Sequence, residues 1–368
     1  MTLSRRHLLQ AAGAALAAPA LLNRALAAER RFEPRVEGWR SFELSTTVTV
    51  AQAQGVTRIW LPVPDIDSDY QRSGDNSWSG NASVAHLTSD GTHGARLLYA
   101  EFAADVAVPT LTLKSTVQTR NRAIDWTQTR KVSEDAALLK FNLQPSELLP
   151  TDGVVLETAK LAIQGASADV DKVRAIYQWV VDNAYREPST SGCGVGDIKT
   201  LLESGNLGGK CADLNALFVG LCRSVGVPAR DVYGIRVAPS AFGYKQLGGN
   251  SASLKGAQHC RAEVFLKAYG WVAMDPADVL KVMRQETPDW IKDKTNPVSA
   301  PVNKALFGGW EGNWVGWNTA HDLKLPNYSR PATLPFLMYP QGENASGRFD
   351  ELAPDSFRYT ISAKEITA

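Results

Sequence analysis

The periodicity of the apolar residues changes near Leu149-Pro150, and this change limits the possible folds more than any other feature of the chain. Upstream, apolar and β-branched residues form short runs, and one run alternates Leu111, Leu113 and Val117 with polar residues, as a half-buried strand does. Downstream, apolar residues recur at the 3.6-residue spacing of a helix, and alternation returns from Asp231 onward. The pattern therefore predicts an α+β fold whose N-terminal part is rich in strands.

The β-rich part covers residues 32–148. Apolar and Thr-rich runs predict strands at 42–50, 56–63 and 96–102. The intervening segment 65–81 is rich in Ser, Gly and Asp, and we expect it to be a surface loop. Short strands joined by polar connections favour a β-sandwich-like domain.

The following part, residues 149–285, alternates between helical and strand patterns. It predicts helices over 154–163, from a cap at Ser167 or Asp169 to about 180, over 197–204, and from Cys211 to a stop at Gly226. We expect residues 286–368 to form an extension that packs on this core and ends in a strand. A chain of 368 residues suits several packed units of this kind.

The first 27 residues have the pattern of a targeting segment. Arg5 and Arg6 precede an Ala- and Leu-rich stretch, and Ala25-Leu26-Ala27 fits a small-residue cleavage site. A paired arginine before such a stretch predicts a twin-arginine signal peptide, the alternative being an uncleaved N-terminal helix. The stretch is shorter than the ~20 residues that a membrane-spanning helix needs, and we expect no span after signal removal. The expected location is therefore periplasmic or secreted.

The charge of the chain is nearly balanced, with 39 Lys and Arg against 38 Asp and Glu. No block of basic residues is present, so we expect no nucleic-acid partner. The sequence leaves the oligomeric state open.

Cys211 follows Gly208-Gly209-Lys210 at the predicted start of a helix. Unpaired backbone N–H groups and the helix dipole stabilise a thiolate at this position, although a buried structural cysteine is the common alternative. Cys222 lies on the apolar face of the same helix and fits that structural role. The two sulfurs cannot share a metal ion, because eleven residues of helix separate them by about 16 Å. No metal site or cofactor is predicted.

A thiolate needs a base, and His259 is the histidine best placed to act as one. It begins a strand that a turn at 267–270 returns toward Asp275, and this spacing predicts a hairpin. Asp275 then falls within a residue or two of His259, where a carboxylate can orient an imidazole. The predicted catalytic residues are Cys211, His259 and Asp275.

Three ordered segments strengthen this interpretation. They are GKCADLNALF at 209–218, CRSVGVPAR at 222–230, and HCRAEVF with GWVAMDP at 259–276. Together they resemble the bacterial transglutaminase-like superfamily over about residues 150–280. The resemblance implies a papain-like core with a Cys-His-Asp triad at Cys211, His259 and Asp275, often preceded by a β domain.

The chain departs from the family pattern after its histidine, where many members have Ala-Trp and this chain has Cys260-Arg261. Cys260 is either a strand residue that faces the core, a regulatory thiol or a disulfide partner of Cys193. The resemblance and the helix start indicate the backbone N–H of Cys211 as an oxyanion donor. Asn206 is either a second donor or a turn residue.

Two functions of different class remain open. The first is acyl transfer on amide bonds of a protein or peptide through a Cys thioester, as a cysteine peptidase or amidase or as a transglutaminase. The second is a non-catalytic module for binding or assembly. The tryptophans at 310, 314 and 317 either line a substrate groove or pack at a domain seam.

Overall fold

A computed structural model describes residues 30–51, 53–330 and 333–366. The predicted signal peptide, residues 1–27, lies outside the described residues. Within the described part the predicted α+β class is confirmed, with a strand-rich N-terminal region followed by a mixed core.

The described helices, in chain order, are α1 (Ala136–Phe141), α2 (Gly153–Ala162), α3 (Asp169–Asn183), α4 (Ile198–Glu203), α5 (Cys211–Ser224), α6 (Pro276–Gln285) and α7 (Ala300–Ala305), with a 3₁₀ turn at Lys245–Leu247. The described strands of the first half are β1 (Arg40–Thr49), β2 (Thr57–Pro62), β3 (Gln71–Gly80), β4 (Val84–Ser89), β5 (Arg96–Phe102), β6 (Thr110–Thr119), β7 (Arg122–Ala123), β8 (Tyr185–Arg186) and β9 (Gly208–Gly209). Those of the second half are β10 (Ala229–Arg236), β11 (Gln258–Leu266), β12 (Gly270–Met274), β13 (Gly309–Trp310), β14 (Trp314–Asn318), β15 (His321–Leu323), β16 (Leu334–Phe336), β17 (Gln341–Asn344), β18 (Gly347–Arg348) and β19 (Arg358–Ile366).

Two sheets form the N-terminal sandwich, with strand orders β19-β1-β6-β3 and β18-β17-β2-β5-β4. Alternate residues of the inner strands point between the sheets and form a buried apolar cluster, which includes Ile59, Leu61, Leu98, Phe102, Leu111 and Leu113. The C-terminal segment supplies a strand to each sheet, because β19 pairs with β1 and β17 pairs with β2. Residues far apart in the chain therefore complete both layers.

The prediction of a surface loop over 65–81 was wrong for its second half, which forms strand β3. The Ser- and Gly-rich sequence has low β-propensity, but backbone pairing with β6 fixes it as an edge strand. An edge strand can leave polar side chains in solvent, so no apolar alternation marks it in the sequence. His86 likewise lies in a strand with polar neighbours, β4.

The second region is built around a four-stranded antiparallel sheet of order β12-β11-β10-β14, with α5 packed against β11 and β10. The α5 helix, predicted to start at Cys211, does start there. The predicted hairpin is also confirmed, with Leu266 opposite Gly270 and Ala262 opposite Met274. The predicted cap of the helix α3 was wrong, since its N-cap is Ala168 without a side-chain hydrogen bond.

No helix in the described part of the chain is long and apolar enough to cross a membrane.

Candidate active site

Cys211 is the first residue of α5 and is buried. Asp213, one turn into the helix, accepts hydrogen bonds from the backbone N–H of Lys210, Val195 and Gly196, at 2.9 Å each. These bonds hold the loop that precedes α4 against the start of α5. Gly194 lies in that loop with a φ of +89°, and a Cβ there would collide with the Asp213 carboxylate. A glycine is therefore needed for the loop to approach Cys211.

His259 and Asp275 contact each other directly, with 2.7 Å between His259 Nε2 and Asp275 Oδ2. Asp275 does not lie in β12 but is the N-cap of α6, where Oδ1 accepts the backbone N–H of Asp278. The peptide that carries the imidazole is also fixed, since Trp314 Nε1 donates to the His259 carbonyl at 2.9 Å. His259 is within hydrogen-bonding range of the Cys211 sulfur as well. The structure thus brings together the three side chains that the sequence predicts.

Asn215, on the second turn of α5, connects the elements that carry these groups. Its Nδ2 donates to the Cys260 carbonyl at 2.8 Å and to Asp275 Oδ1 at 3.2 Å. Its Oδ1 accepts the backbone N–H of Ala277 at 3.2 Å. One fully buried amide therefore sets the spacing between α5, β11 and α6.

Asp278 is a second carboxylate beside the imidazole, and the sequence reasoning missed it. Its Oδ2 lies 3.3 Å from His259 Nε2, and its Oδ1 accepts from Arg236 Nη2 at 2.6 Å. An acid in the first turn of a helix is usually explained by the helix dipole, so the sequence carries no special signal for it. Burial raises the pKa of Asp278, but Arg236 and His259 outweigh it and hold this pKa well below its usual range.

The two carboxylates determine the protonation of His259. Burial and Arg236 lower the pKa of His259, while Asp278 and Asp275 raise it, and the net result is a pKa of about 9. The imidazole is therefore a cation at neutral pH. A cationic imidazole beside Cys211 favours a thiolate–imidazolium pair.

His259, Asp275 and Asp278 place one potential ligand atom each within 4.8 Å of one another, which is a spacing compatible with a metal ion. The charges do not favour one, because Arg236 is bound to Asp278 and Arg261 Nε lies 3.7 Å from Asp275 Oδ2. Positive charge that balances both carboxylates is thus already present. The cluster fits a stabilised imidazolium better than a divalent cation.

Two further thiols surround Cys211. The described cysteines are all free, so Cys193 and Cys260 form no disulfide, and Cys260 is a fully buried strand residue. The hydrogen bonds from Cys193 and Cys260, together with His259, lower the pKa of Cys211 well below its usual value, against the opposing effect of burial. The pKa of Cys193 is raised mainly by its hydrogen bond to Cys211, and the pKa of Cys260 is raised mainly by burial. Both neighbours therefore stay protonated beside a Cys211 thiolate, and Cys193 also lies 3.5 Å from the Gln258 carbonyl, to which its thiol donates. No pattern in the sequence predicts that Cys193 lies beside Cys211.

Cys211 and His259 line a cleft of about 290 Å³. A larger depression of about 820 Å³ lies elsewhere, between residues 30–34 and α7, and contains none of the predicted catalytic residues. The three tryptophans at 310, 314 and 317 are buried and do not line the cleft, which favours the packing alternative. Asn206 accepts hydrogen bonds from Tyr185 and Gly208 and is a turn residue. The backbone N–H of Cys211, the predicted oxyanion donor, belongs to the first helical residue and has no acceptor within α5.

Comparison with known proteins gives one extensive relative and one domain match. The sequence profile of the transglutaminase-like superfamily matches residues 157–276. An uncharacterized protein from Haemophilus influenzae is 33% identical over 332 residues, which cover 85% of this chain and 88% of the relative.

Two solved structures are similar to this chain at low identity. A Cytophaga hutchinsonii protein, provisionally named a cysteine protease, is 17% identical with a TM-score of 0.49, covering 90% of this chain and 99% of its own. The periplasmic domain of TgpA from Pseudomonas aeruginosa is 18% identical with a TM-score of 0.34, covering 70% of this chain and 93% of its own.

Proposed function

Because the chain belongs to the transglutaminase-like superfamily, we propose that it is a thiol enzyme that transfers acyl groups from amide bonds of a protein or peptide through a thioester on Cys211. The observation that carries this proposal is that Cys211 lines one cleft with the buried imidazole of His259, which Asp275 orients at 2.7 Å. A nucleophile, a base and an orienting acid in this order are the parts that thioester chemistry requires.

In the first half of the reaction, the Cys211 thiolate attacks the carbonyl carbon of the amide. The negative charge that develops on the carbonyl oxygen faces the N-terminus of α5, where the Cys211 N–H can donate to it. The imidazolium of His259 then gives its proton to the amide nitrogen, the C–N bond breaks, and an amine leaves. A thioester and a neutral imidazole remain.

In the second half, the neutral imidazole takes a proton from water or from an amine as that nucleophile attacks the thioester. The C–S bond breaks, and the thiolate–imidazolium pair is restored. Water makes the enzyme a peptidase or amidase, and an amine makes it a transglutaminase. We favour hydrolysis, because water is abundant and competes with any amine for the thioester.

The test is covalent labelling at Cys211 with iodoacetamide, followed by peptide mapping. We expect fast alkylation at Cys211 at pH 6, where an ordinary thiol is almost fully protonated. Cys222 is the matched control, since it is a buried thiol on the same helix whose pKa burial raises. Alkylation at Cys211 no faster than that of a free cysteine would contradict the proposal and favour the non-catalytic module. So would a Cys211→Ala variant that still turns over a peptide substrate.

The same proposal places the enzyme outside the cytoplasm, in the periplasm or secreted. Its support is the paired Arg5 and Arg6 ahead of an apolar stretch and a small-residue cleavage site. A fusion of residues 1–27 to a reporter should be exported and cleaved after Ala27, and a double Arg5→Lys, Arg6→Lys variant should stay inside. Equal export of both fusions would rule out a twin-arginine signal.

A further inference from the structure

The cleft around Cys211 is lined by more basic than acidic side chains. Four basic residues come from four different parts of the fold, namely Arg186 in β8, Lys210 before α5, Lys255 before β11 and Lys281 in α6. The acidic residue that lines the cleft is Glu351, and Arg348 already binds it at 2.8 Å. The cleft therefore carries an excess of positive charge.

None of these four cations forms a salt bridge within the described residues, although Asp213 and Asp278 act on Lys210 and Lys281 at longer range. Lys281 Nζ donates to the carbonyl of Gln246. The Nε atom of Arg186 is buried without a hydrogen-bond partner. Burial, with Arg186 nearby, lowers the pKa of Lys210, and burial with Arg236 lowers the pKa of Lys281 to about 8. Placing these charges together costs stability, which is typical of a site that binds an anion.

A second observation concerns Gln258, which lines the same cleft next to His259. Its side chain is 6% exposed, and both Nε2 and Oε1 are buried without a hydrogen-bond partner. A buried amide left unpaired costs ~1–3 kcal/mol. One donor and one acceptor side by side match the C=O and N–H of a peptide group, so a peptide can pair with both once the side chain rotates into the cleft.

Building on the function proposed above, we propose that the cleft selects peptides that carry a free carboxylate beside the scissile amide, with Arg186, Lys210 and Lys255 binding that carboxylate. Gln258 would bind the adjoining peptide group. Arginine supplies a planar fork that suits a carboxylate, and Lys255 is an exposed lysine that lines the cleft. The carboxylate is either that of an acidic side chain or the C-terminal one, since both present the same group.

A different role for the cations is to stabilise the Cys211 thiolate alone. The two roles are separable with iodoacetate and iodoacetamide, which alkylate the same sulfur but differ in charge. Stabilising the thiolate changes the alkylation rate constants of iodoacetate and iodoacetamide equally. Binding of the anionic iodoacetate by the cleft changes the ratio of these rate constants. We expect the ratio of the alkylation rate constants, iodoacetate over iodoacetamide, to be higher at Cys211 than at N-acetylcysteine amide, on the order of 10-fold at low ionic strength. This ratio should fall as salt is added.

The variants Lys255→Gln and Arg186→Gln should bring this ratio toward that of N-acetylcysteine amide. Lys267→Gln is the matched control, because it removes an exposed lysine at the far end of the β11–β12 hairpin. Its ratio should equal that of the unaltered protein. A ratio at Cys211 equal to that of N-acetylcysteine amide, or one that Lys255→Gln and Lys267→Gln lower equally, would overturn the inference.

This experiment needs no turnover, so it separates the two proposals. Fast iodoacetamide alkylation without preference for iodoacetate would overturn only the substrate inference, while slow alkylation by both reagents would contradict the proposed function. A mixed-sequence peptide library with hydroxylamine as acceptor then identifies the source of the carboxylate. Cleavage beside Glu or Asp, abolished by Gln or Asn there, indicates a side chain; cleavage near the C-terminus, abolished by amidation, indicates the terminal carboxylate. Equal cleavage of neutral sequences overturns the inference.

Discussion

Replacing Asp278 with asparagine removes one of the two carboxylates that face the imidazole of His259. The two groups are 3.3 Å apart, and at an effective dielectric constant near 20 their attraction is about 5 kcal/mol. If reorganisation offsets half of this energy, the pKa of His259 falls from about 9 to about 7, since one pKa unit corresponds to about 1.4 kcal/mol. Arg236 loses its partner in the same variant, and its charge acts in the same direction.

Nuclear magnetic resonance of ring-labelled histidine measures this pKa directly. The chain has five histidines, so the His259 resonance can be assigned with a His259→Gln variant. Asp289→Asn is the matched control, because Asp289 is an exposed acid near the end of α6. A pKa of His259 in Asp278→Asn equal to that in the control would refute the reasoning and leave Asp275 as the sole partner of the imidazole.

The same substitution changes how stability depends on pH, and the sign follows from the raised pKa. His259 binds its proton more tightly in the folded state, with a pKa of about 9 against 6.5 in a free chain. Its contribution to the free energy of unfolding is fully present below pH 6.5 and is lost as the pH rises through about 9. Urea unfolding across this window should show a larger loss for the unaltered protein than for Asp278→Asn, because the common contribution of other groups cancels in the difference.

Three other substitutions test neighbouring parts of the site. Asn215→Ala should lower the free energy of unfolding by ~1–3 kcal/mol and slow iodoacetamide alkylation, because it removes three hydrogen bonds to buried groups in β11 and at the start of α6; unchanged unfolding and alkylation would contradict this. Asp231 is fully buried without a hydrogen-bond partner, and burial raises its pKa to about 7. In the unfolded chain the Asp231 carboxyl group loses its proton above pH ~4, whereas in the folded protein it keeps this proton to higher pH. The free energy of unfolding of Asp231→Asn should therefore rise relative to that of the unaltered protein between pH 4 and 7, by about 4 kcal/mol at most. A difference between the two proteins that is equal at pH 4 and at pH 7 in urea unfolding would argue against this. Cys193→Ala should raise the pKa of Cys211, so its alkylation profile should move to higher pH, whereas Cys222→Ala should not move it; coincident profiles for all three proteins would exclude the thiol hydrogen bond.

Much of the fold can be predicted from the sequence because local interactions determine it. The glycines before Cys211 and the apolar face up to Gly226 define α5, and the turn at 267–270 defines the hairpin. Strand β3 could not be predicted, since its pairing with β6 and not its composition makes it a strand. The contribution of β17 and β19 to the sandwich depends on contacts hundreds of residues apart in the chain, for which local pattern carries no information.

The site divides in the same way. The sequence by itself predicted which three side chains meet, because Cys211 starts a helix, His259 and Asp275 flank a hairpin, and these segments together resemble one family. Only the tertiary structure determines the protonation of His259 and Cys211. Asp278, which is paired with Arg236, lies beside the imidazole, and Cys193 lies beside the Cys211 sulfur on a separate loop. Charges and hydrogen bonds act through space over a few ångströms in a buried setting, and that distance is set by packing and not by order along the chain.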